Sequence, residues 1–195
     1  SGDDGQRGIA EDRLDPHLWL DPANGRVMLA AIAARLADVD PAHAETYAAN
    51  AEAARARLVR LEESLARRLA PVQAVPYVVF HDAYQYFEVR FDLNAVGSVT
   101  LDPGRTPGAR RLMALRAALE ERGARCIFRE PQFAPDLIAT VAEGREDLVV
   151  GVLDPLGAAL APGPDAYPAL LRAMAENLVA CLGDAGAAGD PAGDQ

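Results

Sequence analysis

From residue 75 onward, short apolar runs rich in β-branched and aromatic side chains alternate four times with helix-like stretches, and no other feature restricts the fold as tightly. The runs are Val75–Phe80 (VPYVVF), Asp92–Val96 (DLNAV), Arg125–Phe128 (RCIF) and Asp147–Leu153 (DLVVGVL). Helical patterns follow them, from Asp82 to about Val89, from Thr106-Pro107 to Gly123, from Pro135 to Glu143 and from Asp165 to Leu182. Strand and helix alternating four times implies a sheet covered on both faces. The expected class is therefore α/β, a mostly parallel four-stranded sheet covered by helices.

Two helices are expected ahead of the sheet. Asp21-Pro22 supplies an N-cap and a first-turn proline for a helix reaching about Val39, and Asp40-Pro41 repeats the signal. The second helix runs to about Ala70-Pro71, with Tyr47, Ala51, Ala54, Leu58, Leu61, Leu65 and Leu69 forming one apolar stripe. About 30 residues at 1.5 Å each span about 45 Å, more than the width of a small domain. That length suits a coiled-coil arm or a strut along a two-lobed protein, and the single stripe favours the strut. Residues 1–13 are polar and aperiodic, and the Gly-, Ala- and Asp-rich stretch 184–195 reads as a disordered tail.

Composition removes several function classes. A net charge of −10 opposes a nucleic-acid partner, whose phosphates call for basic patches. No window approaches the roughly 18 uninterrupted apolar residues of a spanning helix, so direct membrane insertion is not expected. Cys126 and Cys181, 55 residues apart, form no CxxC motif; composition leaves them open between one disulfide and two buried thiols.

Ligands of open α/β sheets bind beyond the carboxyl ends of the strands. His81 follows the first run (VVFHDAYQYF), Glu130 the third (FREPQF) and Asp154 the fourth (VGVLDPLG). Far upstream, His17 stands in LDPHLWLDP beside the only Trp of the chain. Imidazole and carboxylate are good zinc ligands, so His17, His81 and Asp154 are candidate metal ligands. Each has a plainer use: a locally bonded helix-start histidine, an Asp-Pro turn, a packed surface loop. Glu130 is expected to stand behind the ligands rather than among them. His43, in the first turn of the long helix, is expected to be solvated.

In that order, the blocks DPHLWLDP, FHDAYQYF, FREPQF and VLDPLG resemble the zinc-specific substrate-binding proteins of bacterial ABC importers (the ZnuA type, metal-binding cluster 9 family), over about Leu14 to Leu182. The resemblance implies two α/β lobes joined by one long rigid helix, with the metal between them. It makes His17 and His81 zinc ligands and Asp154 a ligand or a close neighbour of the metal, and it implies a Cys126–Cys181 disulfide. It further implies a periplasmic, non-enzymatic protein that carries Zn2+ as cargo to an inner-membrane ABC permease, with a zinc metallochaperone as another partner. In these terms residues 1–13 are the remnant of a polar loop, 14–40 the end of the N-terminal lobe, 41–71 the linking helix and 72–183 the C-terminal lobe. The first half of the family's mature protein, and one histidine ligand with it, has no counterpart here. Two rival readings are a manganese- or iron-binding member of the family and a zinc hydrolase using Glu130 as base. No HExxH motif supports the hydrolase. The histidine at position 81 favours zinc over the harder manganese ion.

Overall fold

Four strands, β1 (Tyr77–His81), β2 (Ala95–Thr100), β3 (Cys126–Arg129) and β4 (Val149–Val152), form one parallel sheet in the order β2-β1-β3-β4. The structure is a computed structural model that describes residues 15–100, 108–133 and 136–187. The expectations for residues 1–13 and for the end of the tail lie outside these residues, as do the helix starts at Thr106-Pro107 and Pro135.

Alternation along each strand sends side chains to two separate cores. Tyr77, Val79, Cys126 and Phe128 pack against α2 (Ala44–Leu69), α3 (Gln85–Phe91) and α6 (Ala166–Ala187). Val78, Phe80 and Ile127 face α4 (Ala109–Glu121) and α5 (Asp136–Ala142), through Leu115, Leu119, Ile138 and Val141. This is the expected α/β class with helices on both faces. Cys126 and Cys181 form a disulfide that fastens β3 to α6.

Several boundaries differ from those read in the sequence. The second strand starts three residues later than expected because Asp92 ends α3 in the left-handed conformation (φ 53°), so that Asp92–Asn94 is the helix's closing turn. The long helix is divided: a 3-10 turn occupies Pro41–His43, α2 proper follows, and a second 3-10 turn occupies Ala70–Val72. Helix α6 continues past Leu182 to Ala187, through an Ala- and Gly-containing stretch that lacks a proline to stop it.

Helix α1 (Pro22–Val39) starts where Asp21 and Pro22 indicate, with the Asp21 carboxylate accepting from the Ala23 N–H at 2.7 Å. It folds back along α2, with a shallow cleft between the two lined by Ala30, Ala33, Ala37, Ala44, Ala48 and Ala51. The stripe of α2 is buried only in its second half, at Leu58, Leu61, Leu65 and Leu69, where it lies on the sheet domain. Beyond that, α1 presents Met28, Ile32, Leu36 and Val39 to solvent, an apolar face that nothing among the described residues covers.

Candidate metal centre

In strand order 2-1-3-4 the connections leaving β1 and entering β3 run in opposite directions, and a crevice opens between the carboxyl ends of those two strands. His81 is the last residue of β1, and Glu130 follows the last residue of β3. They meet in that crevice, His81 Nδ1 lying 2.5 Å from Glu130 Oε1, with Glu130 only 2% exposed. The Tyr84 hydroxyl donates to the same Oε1 at 3.0 Å. Burial, followed by the charge of Glu130, holds the Tyr84 phenol well above its ordinary pKa, so it remains a donor.

The second histidine comes from outside the sheet. His17 ends in a ring whose Nε2 is 3.4 Å from His81 Nε2, the ring centroids being 5.2 Å apart. Its Nδ1 lies 2.5 Å from Asp15 Oδ1, which also accepts from the His17 backbone N–H at 2.9 Å. Both imidazoles thus have a carboxylate behind Nδ1. A carboxylate only accepts, so each Nδ1 position carries a proton, and a ring without a second proton presents its Nε2 lone pair to the other. Two such lone pairs face to face repel, and either a proton or a metal cation between them relieves the repulsion.

The spacing fits a tetrahedral zinc ion. With Zn–N bonds of about 2.0–2.1 Å and tetrahedral angles, two nitrogens on one zinc are about 3.3–3.4 Å apart. Imidazole held from behind by carboxylate is also the usual support of zinc-bound histidine.

The loop bearing His17 is fixed by the sheet domain. Trp19 Nε1 donates to the Pro155 carbonyl at 3.1 Å, and the Tyr167 hydroxyl donates to the Trp19 carbonyl at 2.6 Å. Arg90 on α3 grips both carboxylate oxygens of Asp21 at 2.8 Å, and Asp21 is 6% exposed. Glu62 on α2 pairs with Arg26 and lies near Arg90. Leu20, fully buried, anchors the turn in the core.

Of the expected ligands, the structure brings His17 and His81 together and leaves Asp154 bonded to other groups. Asp154 Oδ1 accepts from Gln132 Nε2 at 2.5 Å and from the backbone N–H groups of Leu156 and Gly157, while Oδ2 accepts from that of Ala158 at 2.7 Å. Its carboxylate closes the turn whose Pro155 carbonyl holds Trp19. Among the described residues no group of three or more His, Cys, Asp or Glu side chains converges as a metal-ligand set. Glu130 lies against the Nδ1 side of His81. His43 is distant from the pair and binds Asp40 at 2.8 Å with its side chain 65% exposed. Asp15, Tyr84 and Gln132 were not singled out by sequence; only the proximity of Asp15 to His17 offered a signal, and Asp15-Pro16 reads equally well as a turn.

Residues 1–181 match the family model described as zinc-uptake complex component A, periplasmic. The chain is 48% identical over 168 residues to the high-affinity zinc uptake system protein ZnuA of Brucella abortus (strain 2308), covering 86% of this chain and 50% of that protein. To the ZnuA of Paracoccus denitrificans (strain Pd 1222) it is 46% identical over 169 residues, covering 87% of this chain and 52% of that protein. A crystal structure of ZnuA superimposes with a TM-score of 0.75 at 29% identity, covering 86% of this chain and 60% of that one. The chain spans about half the length of the curated relatives it matches. The family-model match runs through all four motif blocks and the paired histidines, and the chain belongs to the ZnuA family of periplasmic zinc-uptake components.

Proposed function

We propose that this chain supplies the carboxyl-terminal half of a zinc capture site in a periplasmic binding protein that delivers Zn2+ to an ABC permease in the inner membrane. The observation that carries the reading is the 3.4 Å separation of the His17 and His81 Nε2 atoms, each ring backed by a carboxylate. Neutral imidazoles favour zinc over manganese, which prefers carboxylate and water. The ZnuA relatives, named as high-affinity zinc uptake proteins, support the same cargo.

Within this reading α2 is the linking helix, and the exposed apolar face of α1 is where a preceding lobe packs. That lobe contributes the further histidine. Asp154 joins the metal only by giving up the Gln132 amide or backbone N–H groups, so the firm contribution of this chain is His17 and His81. Among the described residues no helix is long and apolar enough to cross a membrane. A metallochaperone partner is part of the same proposal and rests on the resemblance alone.

Zinc titration of the full-length protein against a competing chelator tests the assignment. His17→Ala and His81→Ala should each weaken zinc binding by about tenfold or more. Unchanged affinity in either variant would remove that residue from the site. Hydrolysis of esters, peptides or phosphoesters by the zinc-loaded protein would instead favour an enzyme.

A further inference from the structure

The geometry points to Asp15 as the positioning residue that makes His17 competent to bind metal, an inference that rests on the zinc reading above. Its four polar contacts serve two ends. Oδ1 takes the His17 backbone N–H at 2.9 Å and lies 2.5 Å from the ring Nδ1, while Oδ2 takes Gln85 Nε2 at 2.9 Å and the backbone carbonyl takes the Tyr86 hydroxyl at 3.2 Å. The Asp15 side chain is only 7% exposed.

The first pair of contacts sets the tautomer. A free neutral imidazole in water keeps its proton mainly on Nε2, the atom that here faces His81. With that proton in place, His17 offers zinc no lone pair on the correct side. The Asp15 carboxylate transfers the preference to Nδ1–H and leaves Nε2 free before metal arrives. The same oxygen bonds the backbone of residue 17, so ring and main chain are held together by one atom.

The second pair sets the distance. Gln85 and Tyr86 begin α3, four and five residues after His81, whereas His17 belongs to a segment 64 residues earlier in the chain. Apart from the imidazole pair itself, the bonds from Asp15 to Gln85 and Tyr86 are the direct link between the two ligand-bearing segments close to the site. Trp19 and Asp21 secure the loop farther along. Losing the Gln85 bond should therefore widen the Nε2–Nε2 spacing without altering the His17 tautomer.

The test compares Asp15→Ala, Asp15→Asn, Gln85→Ala and His17→Ala in the full-length protein. Zinc affinity is read by chelator competition, and imidazole 15N spectra of the metal-free protein identify which ring nitrogen bears the proton. Asp15→Ala should move the His17 proton to Nε2 and weaken zinc about 10–100-fold. Asp15→Asn retains an acceptor oxygen and the shape of the side chain; it should keep the Nδ1–H tautomer and weaken zinc only about three- to tenfold. This second variant decides the matter if the alanine variant fails to fold. Gln85→Ala should reduce affinity with the tautomer unchanged. Wild-type affinity in both Asp15 variants, or an unmoved proton in Asp15→Ala, would overturn the positioning role. If His17→Ala also binds zinc normally, the ligand reading itself has failed; if only that variant is weakened, the role of Asp15 alone has failed.

Discussion

Removing the Cys126–Cys181 disulfide should destabilise the fold heavily and leave the histidine pair almost untouched. The bridge closes a 55-residue separation that contains β3, α5, β4 and most of α6. In the chain-entropy treatment, a loop of that length confines the unfolded state by about 14 cal/mol/K, or about 4 kcal/mol at 25 °C. For a chain of this size that corresponds to a fall in Tm of roughly 8–16 °C. Both cysteines are buried, so comparing the oxidised and reduced wild type avoids the extra loss that Cys→Ala would cause in the core. Thermal unfolding by calorimetry in the presence and absence of reductant gives the difference directly. Zinc affinity, measured below the lower transition, should change less than about threefold. The reason is that β3 is hydrogen-bonded on both sides, to β1 and β4, and Glu130 is held at its end by His81 and Tyr84. A stability change under about 1 kcal/mol would refute the loop-entropy argument. A large loss of zinc affinity at preserved fold would show that the bridge, and not the strand ladder, positions Glu130.

Other consequences are as direct. Asp21→Ala removes a helix cap together with the two-pronged bond to Arg90, and should cost about 2–4 kcal/mol in chemical denaturation. Because that bond also seats the His17 loop, zinc binding should weaken in the same variant. Glu88, partly buried beneath the Tyr77 hydroxyl, has its carboxyl pushed from its ordinary 4.5 up to about 7, mainly by desolvation. Between those values the unfolded chain has released a proton that the folded chain keeps, so stability should fall as pH rises from about 4.5 to 7. The full shift corresponds to about 3 kcal/mol, reduced by partial solvation to about 1–2. Glu88→Gln should flatten this slope in denaturant midpoints measured at pH 4.5 and 7.5. Gly151→Ala should destabilise as well, since a Cβ there would stand 2.5 Å from the Phe128 ring.

The parts of this molecule that were legible in the sequence are those fixed by local pattern. Apolar runs alternating with helical stretches gave the parallel sheet, most clearly at β1, which is buried throughout. Asp21-Pro22 announced α1, because capping depends on neighbouring residues alone. The α3–β2 boundary was misjudged although Asp92 and Asn94 are poor strand residues; Asp92, which tolerates the left-handed conformation, ends the helix there. The carboxyl-end rule located His81 and Glu130, yet it could not tell that Asp154 turns inward on its own backbone. Asp15 and Tyr84 work through contacts spanning 70 and 46 residues, and no local spacing encodes such pairings.

X-ray absorption or a crystal structure of the zinc-loaded full-length protein tests the central claim most directly. Zinc should bind between His17 and His81 through both Nε2 atoms, at about 2.0–2.1 Å and with a nitrogen separation near the 3.4 Å of the structure. Glu130 and Asp15 should remain on the Nδ1 atoms. Zinc held by carboxylates elsewhere, or a histidine pair that must separate or rotate to receive it, would contradict the account.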